Sequence, residues 1–381
     1  KGYFINTTSN ACTITLPSVA TAGDQIILVD YARTWGTNAI TIDSNGLNFQ
    51  SSDDTYIVDY DTSGQALNLV YSGATVGWTP SSDIVNALEP AAPVTQKAIF
   101  GYGTTGSNVS LTNLVNSSGA VATDTTGVGT ARSLLAASGY GGDKAIFGYG
   151  TSGSYVSITN LVNNSGVVAE DTTGVGTVRI YISAASYGTD KGIFGFGTTG
   201  SVTAITNLVS NSGVVATDTA GVGTARSQTG ATTYGGDKAI FAYGNTGSFT
   251  NLSNKVSSSG VVASDTSGVG TNRGQPAAAG YGSDGKAIIA FGDVAGAGVR
   301  TNISNLISNT GVVGSDVTGV GTARYGSAAA RYGGDKAIFA YGSAGGAIKN
   351  LVSNVGVVAS DTSGAGTARE GLAANGFSYA A

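Results

Sequence analysis

The heptapeptide Lys97-Ala98-Ile99-Phe100-Gly101-Tyr102-Gly103 returns five more times in altered form, starting at Lys144, Lys191, Lys238, Lys286 and Lys336. Successive starts lie 47, 47, 47, 48 and 50 residues apart. A period of this length restricts the chain to stacked or radially arranged units, because one such unit cannot bury its own apolar face. Each copy holds four segments: the lysine strand, a strand around Thr112-Asn113-Leu114-Val115, a strand around Val121-Ala122-Thr123-Asp124, and a segment after Arg132 that ends in Gly139-Tyr140. Four strands per unit is the content of one propeller blade, so residues 97–381 are predicted to form a six-bladed β-propeller. Alternation places Ala98, Phe100 and Tyr102 on one strand face and Ile99, Gly101 and Gly103 on the other, leaving neither face polar and both available for burial.

The ends of the repeat array bear on closure. The fourth segment ends in Tyr140, Tyr187, Tyr234, Tyr281 and Tyr332, each just before the next lysine strand, whereas Lys97 has no such segment before it. The missing piece stands at the far end, where Glu370 to Ala381 follows Arg369 and carries Phe377 at the tyrosine position. It is predicted to pair back onto Lys97 to Gly103, which would close the ring and remove two open edges.

Composition agrees with an all-β chain: 60 glycines, five prolines and many Val, Ile, Thr and Tyr favour short strands over helices. With 41% hydrophobic and 11% charged residues the chain is globular. A net charge of −5 offers no basic footprint, so no nucleic-acid partner is expected. Cys12 is the single cysteine and histidine is absent, so neither an internal disulfide nor a metal site or other cofactor is expected. No apolar run of about 18 residues exists, and no membrane insertion is expected. The chain begins at Lys1 and contains no methionine, so its numbering is expected to start after a processed or unseen N-terminus.

The N-terminal residues follow another pattern. Strands are predicted near Tyr3 to Ile5, Cys12 to Leu16, Gln25 to Asp30, Ala39 to Asp43, Thr55 to Tyr60 and Ala66 to Tyr71, with turns at Ala22-Gly23-Asp24, Ser44-Asn45-Gly46 and Thr62-Ser63-Gly64. Residues 1–79 are thus predicted to be a small β-sandwich or jelly-roll-like attachment and oligomerisation module. Its modest core favours association with a larger body or with copies of itself, so a homo-oligomer is expected. Pro80, Pro90 and Pro93 mark residues 80–96 as a semi-rigid linker.

The polar residues that recur with the repeat are Arg132, Arg179, Arg226, Arg273, Arg324 and Arg369, and the aspartates Asp124, Asp171, Asp218, Asp265, Asp316 and Asp361. The aspartates open an Asp-Thr/Ser-x-Gly-x-Gly-Thr stretch, clearest at Asp265 to Thr271. One carboxylate per copy is too few for a calcium loop, and a turn capped by the aspartate side chain is expected instead. The arginines, with Asp143, Asp190, Asp237, Asp284 and Asp335, either line a charged channel or form repeated bonds between copies; the planar guanidinium fork favours the second. Glycosidase chemistry needs two carboxyl groups placed about one bond. The carboxylates outside the repeat, Glu170 and Asp293, read as surface drift, and no enzyme is expected.

In one unit, Arg132, Leu134 to Tyr140, Lys144 to Gly150 and Leu161 to Thr172 give an order that resembles the kelch class of propeller repeat. The chain departs from that class in having Gly-Tyr-Gly for a glycine pair and no tryptophan after Trp78, so the resemblance implies a kelch-like architecture only. The near-identical units, such as Asn160 to Ala169, resemble glycine-rich repeat proteins of tailed bacteriophages of marine and cyanobacterial hosts. Gly2-Tyr3-Phe4-Ile5, Ile14-Thr15-Leu16-Pro17, Gly23-Asp24-Gln25-Ile26 and Leu69-Val70-Tyr71 to Gly77-Trp78 resemble a small β module of phage fibre and head-decoration proteins. These resemblances imply a non-enzymatic structural protein on the virion surface. Other virion proteins would bind the N-terminal module, and the propeller would be displayed toward a host cell-surface glycan. The alternatives are a capsule-polysaccharide depolymerase and a purely stabilising capsid decoration without ligand.

Overall fold

The computed structural model describes residues 1–52, 58–82, 87–88, 96–294, 296, 298–343 and 346–378. All regular structure among them is β, and the chain divides into two compact units, Lys1–Pro93 and Val94–Ala381.

The first unit has eight strands: β1 (Gly2–Ile5), β2 (Cys12–Thr15), β3 (Gln25–Asp30), β4 (Ile40–Asp43), β5 (Val58–Tyr60), β6 (Ala66–Tyr71), β7 (Trp78–Pro80) and β8 (Ala87–Leu88). They form two four-stranded sheets, ordered β1-β3-β6-β7 and β2-β4-β5-β8. Alternate residues of β4 and β6 are buried, which places Ile40, Ile42, Leu67 and Leu69 in one core with Leu28, Trp35, Tyr60 and Trp78. This is the period-2 pattern of strands buried on one face.

β1 pairs with β3, and β2 with β4, in parallel. This differs from the antiparallel pairing that a jelly roll requires. The cause lies in the connections: the chain between β1 and β3 carries β2 of the other sheet, and such a crossover returns a strand in the same direction. The predicted turns hold, with Gly23, Asn45, Gly46 and Gly64 at φ of 97°, 55°, 83° and 81°.

One boundary moves. Ala87–Leu88 pairs with Asp59–Tyr60, so part of the predicted linker extends the second sheet and covers the outer edge of β5. Pro90 and Pro93 of that linker, and Thr55 of the predicted fifth strand, lie outside the described residues.

The second unit consists of six antiparallel sheets, one per copy. In the second sheet a leading strand, Ala136–Tyr140, pairs with the lysine strand Lys144–Gly148, which pairs with a third strand, Thr159–Val162. The same three strands recur in every sheet. The first sheet draws its leading strand from the other end of the chain: Ala373–Phe377 pairs with Lys97–Gly101 over Ala373↔Gly101 to Phe377↔Lys97. The pairing expected from the sequence is therefore present. Copy-to-copy packing repeats the theme, since Ala98 and Phe100 share a core with Tyr332, Ile338 and Tyr341.

Every residue of the lysine strand after the lysine is buried, as expected for a strand covered on both faces. Tyr102 does not continue the alternation: it packs with Ile99, not Phe100. Its φ of 63° turns the chain through the left-handed region and redirects the side chain. The equivalent Tyr149, Phe196, Tyr243, Phe291 and Tyr341 share that conformation.

The strand expected around Val121 to Asp124 is reduced in each copy. In copies one to five Val121 to Asp124 and its equivalents make only isolated bridges to the third strand, such as Thr112↔Thr125 and Val115↔Val121. Between those bridges three steps on one chain oppose four on the other, the signature of a bulge. Asn113 Nδ2 fills the break by donating to the carbonyl of Ala122. In the sixth copy Thr362–Ser363 forms a two-residue strand.

Candidate functional site

The six repeat arginines are buried side chains that join consecutive copies. Arg132, Arg226 and Arg369 make the fullest set of bonds, whereas Nε of Arg179, Arg273 and Arg324 is buried without a hydrogen-bond partner; Arg226 illustrates the full set. Its Nε donates to Tyr243 O at 2.8 Å, Nη1 to Thr224 O at 3.1 Å and Nη2 to Asn254 Oδ1 at 2.6 Å. Its guanidinium lies 4.3 Å from the ring centre of Phe196 in the preceding lysine segment. A planar five-donor group on an aromatic face meets these demands at once, which an ammonium does not. Arg369 makes the same bonds to Tyr102 O and Asn113 Oδ1, joining the last arginine to the first copy. Burial lowers the arginine pKa values, in Arg226 and Arg324 to about 10 against the opposing pull of Asp265 and Asp361. Both remain charged at neutral pH.

The repeat aspartates complete these joints. Asp265 Oδ1 accepts from Asn254 Nδ2 at 2.9 Å, and Oδ2 accepts from Thr224 N at 2.9 Å and Thr224 Oγ1 at 2.6 Å. Asp124 receives the same set from Asn113 and Thr367. The predicted cap is real in its chemistry but not local, since the donor threonine sits 41 residues upstream of Asp265, in the preceding copy. Ion pairs of 3.7 to 3.9 Å link Asp171, Asp265, Asp361 and Asp124 to Arg132, Arg226, Arg324 and Arg369. The channel alternative for these residues is thereby replaced by bonding between copies.

Burial raises the pKa of each repeat aspartate, but the threonine and asparagine hydrogen bonds and the nearby arginine outweigh it, so the net shift is downward. A carboxyl depressed in the folded state gives stability that is complete above its unfolded value of about 3.9 and fades as pH falls through the folded value. Thermal midpoints of the whole chain are expected to hold level above pH about 5 and to fall steeply below about 4. Asp171→Asn is expected to flatten that acid limb. An equally steep limb in the variant would show that other carboxyls drive it.

Asp143, Asp190, Asp237, Asp284 and Asp335 behave differently. Their carboxylates pair locally with Lys144, Lys191, Lys238, Lys286 and Lys336 at 2.6 to 2.8 Å. Copy-to-copy bonding at several of these turns passes through the backbone, as in Gly141 N to Asp190 O and Ser378 N to Asp143 O. Glu170 is exposed, as expected. Asp293 is not surface drift: it is buried and accepts from Gly296 N and Gly298 N, capping the longer hairpin between Lys286–Asp293 and Arg300–Ile307. Among the described residues no three His, Cys, Asp or Glu side chains group to hold a metal ion, and no helix is long and apolar enough to cross a membrane.

Immediately after each arginine the copies diverge. The residues are Ser133-Leu134-Leu135, Ile180-Tyr181-Ile182, Ser227-Gln228-Thr229, Gly274-Gln275-Pro276, Tyr325-Gly326-Ser327 and Glu370-Gly371-Leu372. The middle residue of every triplet has positive φ, between 51° and 62°. Backbone bonds run from triplet to triplet: Gly371 N to Gly326 O, Leu134 N to Gly371 O, Tyr181 N to Leu134 O, Gln228 N to Tyr181 O and Gln275 N to Gln228 O.

The second and third residues of each triplet line a cavity of about 130 Å³. A second cavity of about 210 Å³ shares six of its alanines, one per copy: Ala137, Ala184, Ala231, Ala278, Ala329 and Ala374. The first cavity has no charged lining residue, and its polar lining includes Gln228 and Gln275. The Tyr181 pKa is raised by burial, then by the negative charge of Glu370 and the phenols of Tyr325 and Tyr155. This cavity went unread in the sequence. The signal that points to it is the loss of repeat identity in the three residues after each arginine.

No known protein-family model matches the chain, and a search of curated proteins gave no match.

Proposed function

We propose that residues 97–381 form a six-bladed β-propeller closed by the C-terminal strand, and that the protein is a non-enzymatic virion component displaying this propeller for attachment to a host-surface glycan. The architectural part is supported by one sheet per copy and by the pairing of Ala373–Phe377 with Lys97–Gly101. Further support comes from the Arg369 to Asn113 and Thr367 to Asp124 bonds, which repeat between the two chain ends the joint made elsewhere between neighbours.

The observation that carries the binding reading is the division of labour among polar groups. Recurrent arginines, asparagines and aspartates are engaged in holding copies together, while the residues that follow each arginine differ from copy to copy beside a cavity. A repeated frame whose copies differ beside a cavity suits recognition. The resemblance to phage fibre and decoration modules supplies the virion context. In the first unit the exposed rings of Phe4 and Tyr31, 6.1 Å apart, offer apolar surface for attachment to another virion protein.

Virions carrying the protein without residues 97–381 are expected to retain it through the N-terminal module and to adsorb poorly to host cells. Normal adsorption would overturn the attachment reading. Release of oligosaccharides from host polysaccharide by the purified protein would replace it with a depolymerase.

A further inference from the structure

We propose that the cavity bordered by Tyr181, Gln228, Gln275 and Gly371 is a binding site for one ring of a neutral saccharide. The inference rests on the glycan-attachment reading above and deepens it by naming a single site and its ligand class.

Three observations converge on this cavity. First, the backbone there is held left-handed in all six copies, yet only copies five and six use glycine, at Gly326 and Gly371. Leu134, Tyr181, Gln228 and Gln275 adopt the same conformation, which is uncommon for residues with a Cβ. Backbone strain retained beside a cavity is a recurrent mark of functional sites. The strain places larger side chains on one part of the cavity border and leaves the glycine part open.

Second, the groups so placed have complementary chemistry. Tyr181 offers an aromatic face, which suits the C–H face of a sugar ring. Each glutamine amide offers both donors and an acceptor, which suits adjacent hydroxyls. Gln228 and Gln275 both line the cavity and are only half-buried, so their amides remain open to partners there.

Third, size and charge narrow the ligand. The volume of about 130 Å³ is of the order of the ~150 Å³ cavity that accepts one benzene ring, so one sugar ring is the largest unit expected to enter. No lysine or arginine lines the cavity, and Glu370 lies close enough to raise the Tyr181 pKa. Uronates, sialic acids and phosphorylated sugars are therefore disfavoured.

The test uses the full chain and a panel of methyl glycosides of glucose, galactose, mannose and N-acetylglucosamine, with methyl glucuronide as the acidic arm. Binding is read by saturation-transfer NMR and titration. At least one neutral glycoside is expected to bind, with methyl glucuronide at least tenfold weaker. Tyr181→Gly and Gln228→Gly install the residue that copies five and six already carry. Both are expected to keep or raise the thermal midpoint while weakening binding at least tenfold. Val167→Thr, at an exposed position in a different segment of the repeat, is expected to bind as the parent does.

Failure of every neutral glycoside to bind, tighter binding of the glucuronide, or full binding by both glycine variants would each overturn the proposal. Virion adsorption separates the two readings. If loss of residues 97–381 abolishes adsorption while the Tyr181→Gly, Gln228→Gly double variant adsorbs normally, the cavity site fails and the attachment reading stands.

Discussion

Deleting Glu370 to Ala381 is expected to lower the thermal midpoint of residues 94–381 by about 10 °C or more, or to prevent their folding. The deletion removes the strand that pairs with Lys97–Gly101 along its whole length. It also removes Leu372 and Phe377, which are 5% and 0% exposed. Burial of two such side chains contributes roughly 3 to 6 kcal/mol, and domain stability as a whole is only about 5 to 15 kcal/mol. For a unit of this size each kcal/mol corresponds to about 2 °C.

The loss is larger than these two side chains alone. Phe377 packs in one core with Ile99, Phe147 and Val162 of the first two copies, so its removal opens a cavity between them. The lysine strand, apolar on both faces, would also gain an unpaired edge. Differential scanning calorimetry of the truncated chain checks the drop. A synthetic peptide of residues 370–381 supplied in trans is expected to restore part of it. An unchanged midpoint would show that the end-to-end pairing contributes nothing to stability, and the closed propeller would be abandoned for an open array.

The repeat period and the orphan first lysine strand made that pairing legible in the sequence, because counting segments in each copy exposes which end lacks one. The identity of the bonding partners was harder to read. Arg132 and Asp171 stand far apart in sequence, and nothing local states that the aspartate belongs to the arginine of the copy before it. The bulge at Thr112 to Thr125 escaped for a related reason: Asn113, a side-chain amide standing in for a ladder bond, reads like an ordinary strand residue. Tyr102 looked like a continuation of strand alternation, and only its left-handed backbone moves it to the other face. In the first unit the strands were readable from period-2 patterning, but the parallel pairing was not, since it depends on which sheet the intervening strand joins. The cavity border was present as irregularity in a regular pattern, at Tyr181, Gln228 and Gln275, where attention to the shared residues passes over the varied ones.

Arg226→Met is expected to destabilise the second unit by about 3 to 5 kcal/mol, the usual cost of breaking a buried charged network by removing one partner. Methionine fills much of the volume beside Phe196, so packing is largely kept and the loss falls on hydrogen bonding. Tyr243 O, Thr224 O and Asn254 Oδ1 each lose a donor, and Asp265 loses its cation. The informative comparison is Arg226→Lys, which preserves charge. A lysine has the donors of one nitrogen and no planar face, so it cannot serve three acceptors in different directions while lying on the Phe196 ring. Arg226→Lys is therefore expected to lose most of what Arg226→Met loses, as read from urea midpoints at constant slope. If the lysine variant stayed within about 1 kcal/mol of the parent, the joint between copies would depend on charge near Asp265 and not on the guanidinium fork. The recurrence of arginine at all six positions, never lysine, would then need another cause. A large loss in both variants instead ties the fold to a geometric demand that recurs with the repeat: an aromatic floor from one copy and an asparagine amide from the next at all six arginines, with a carboxylate within 4 Å at four of them.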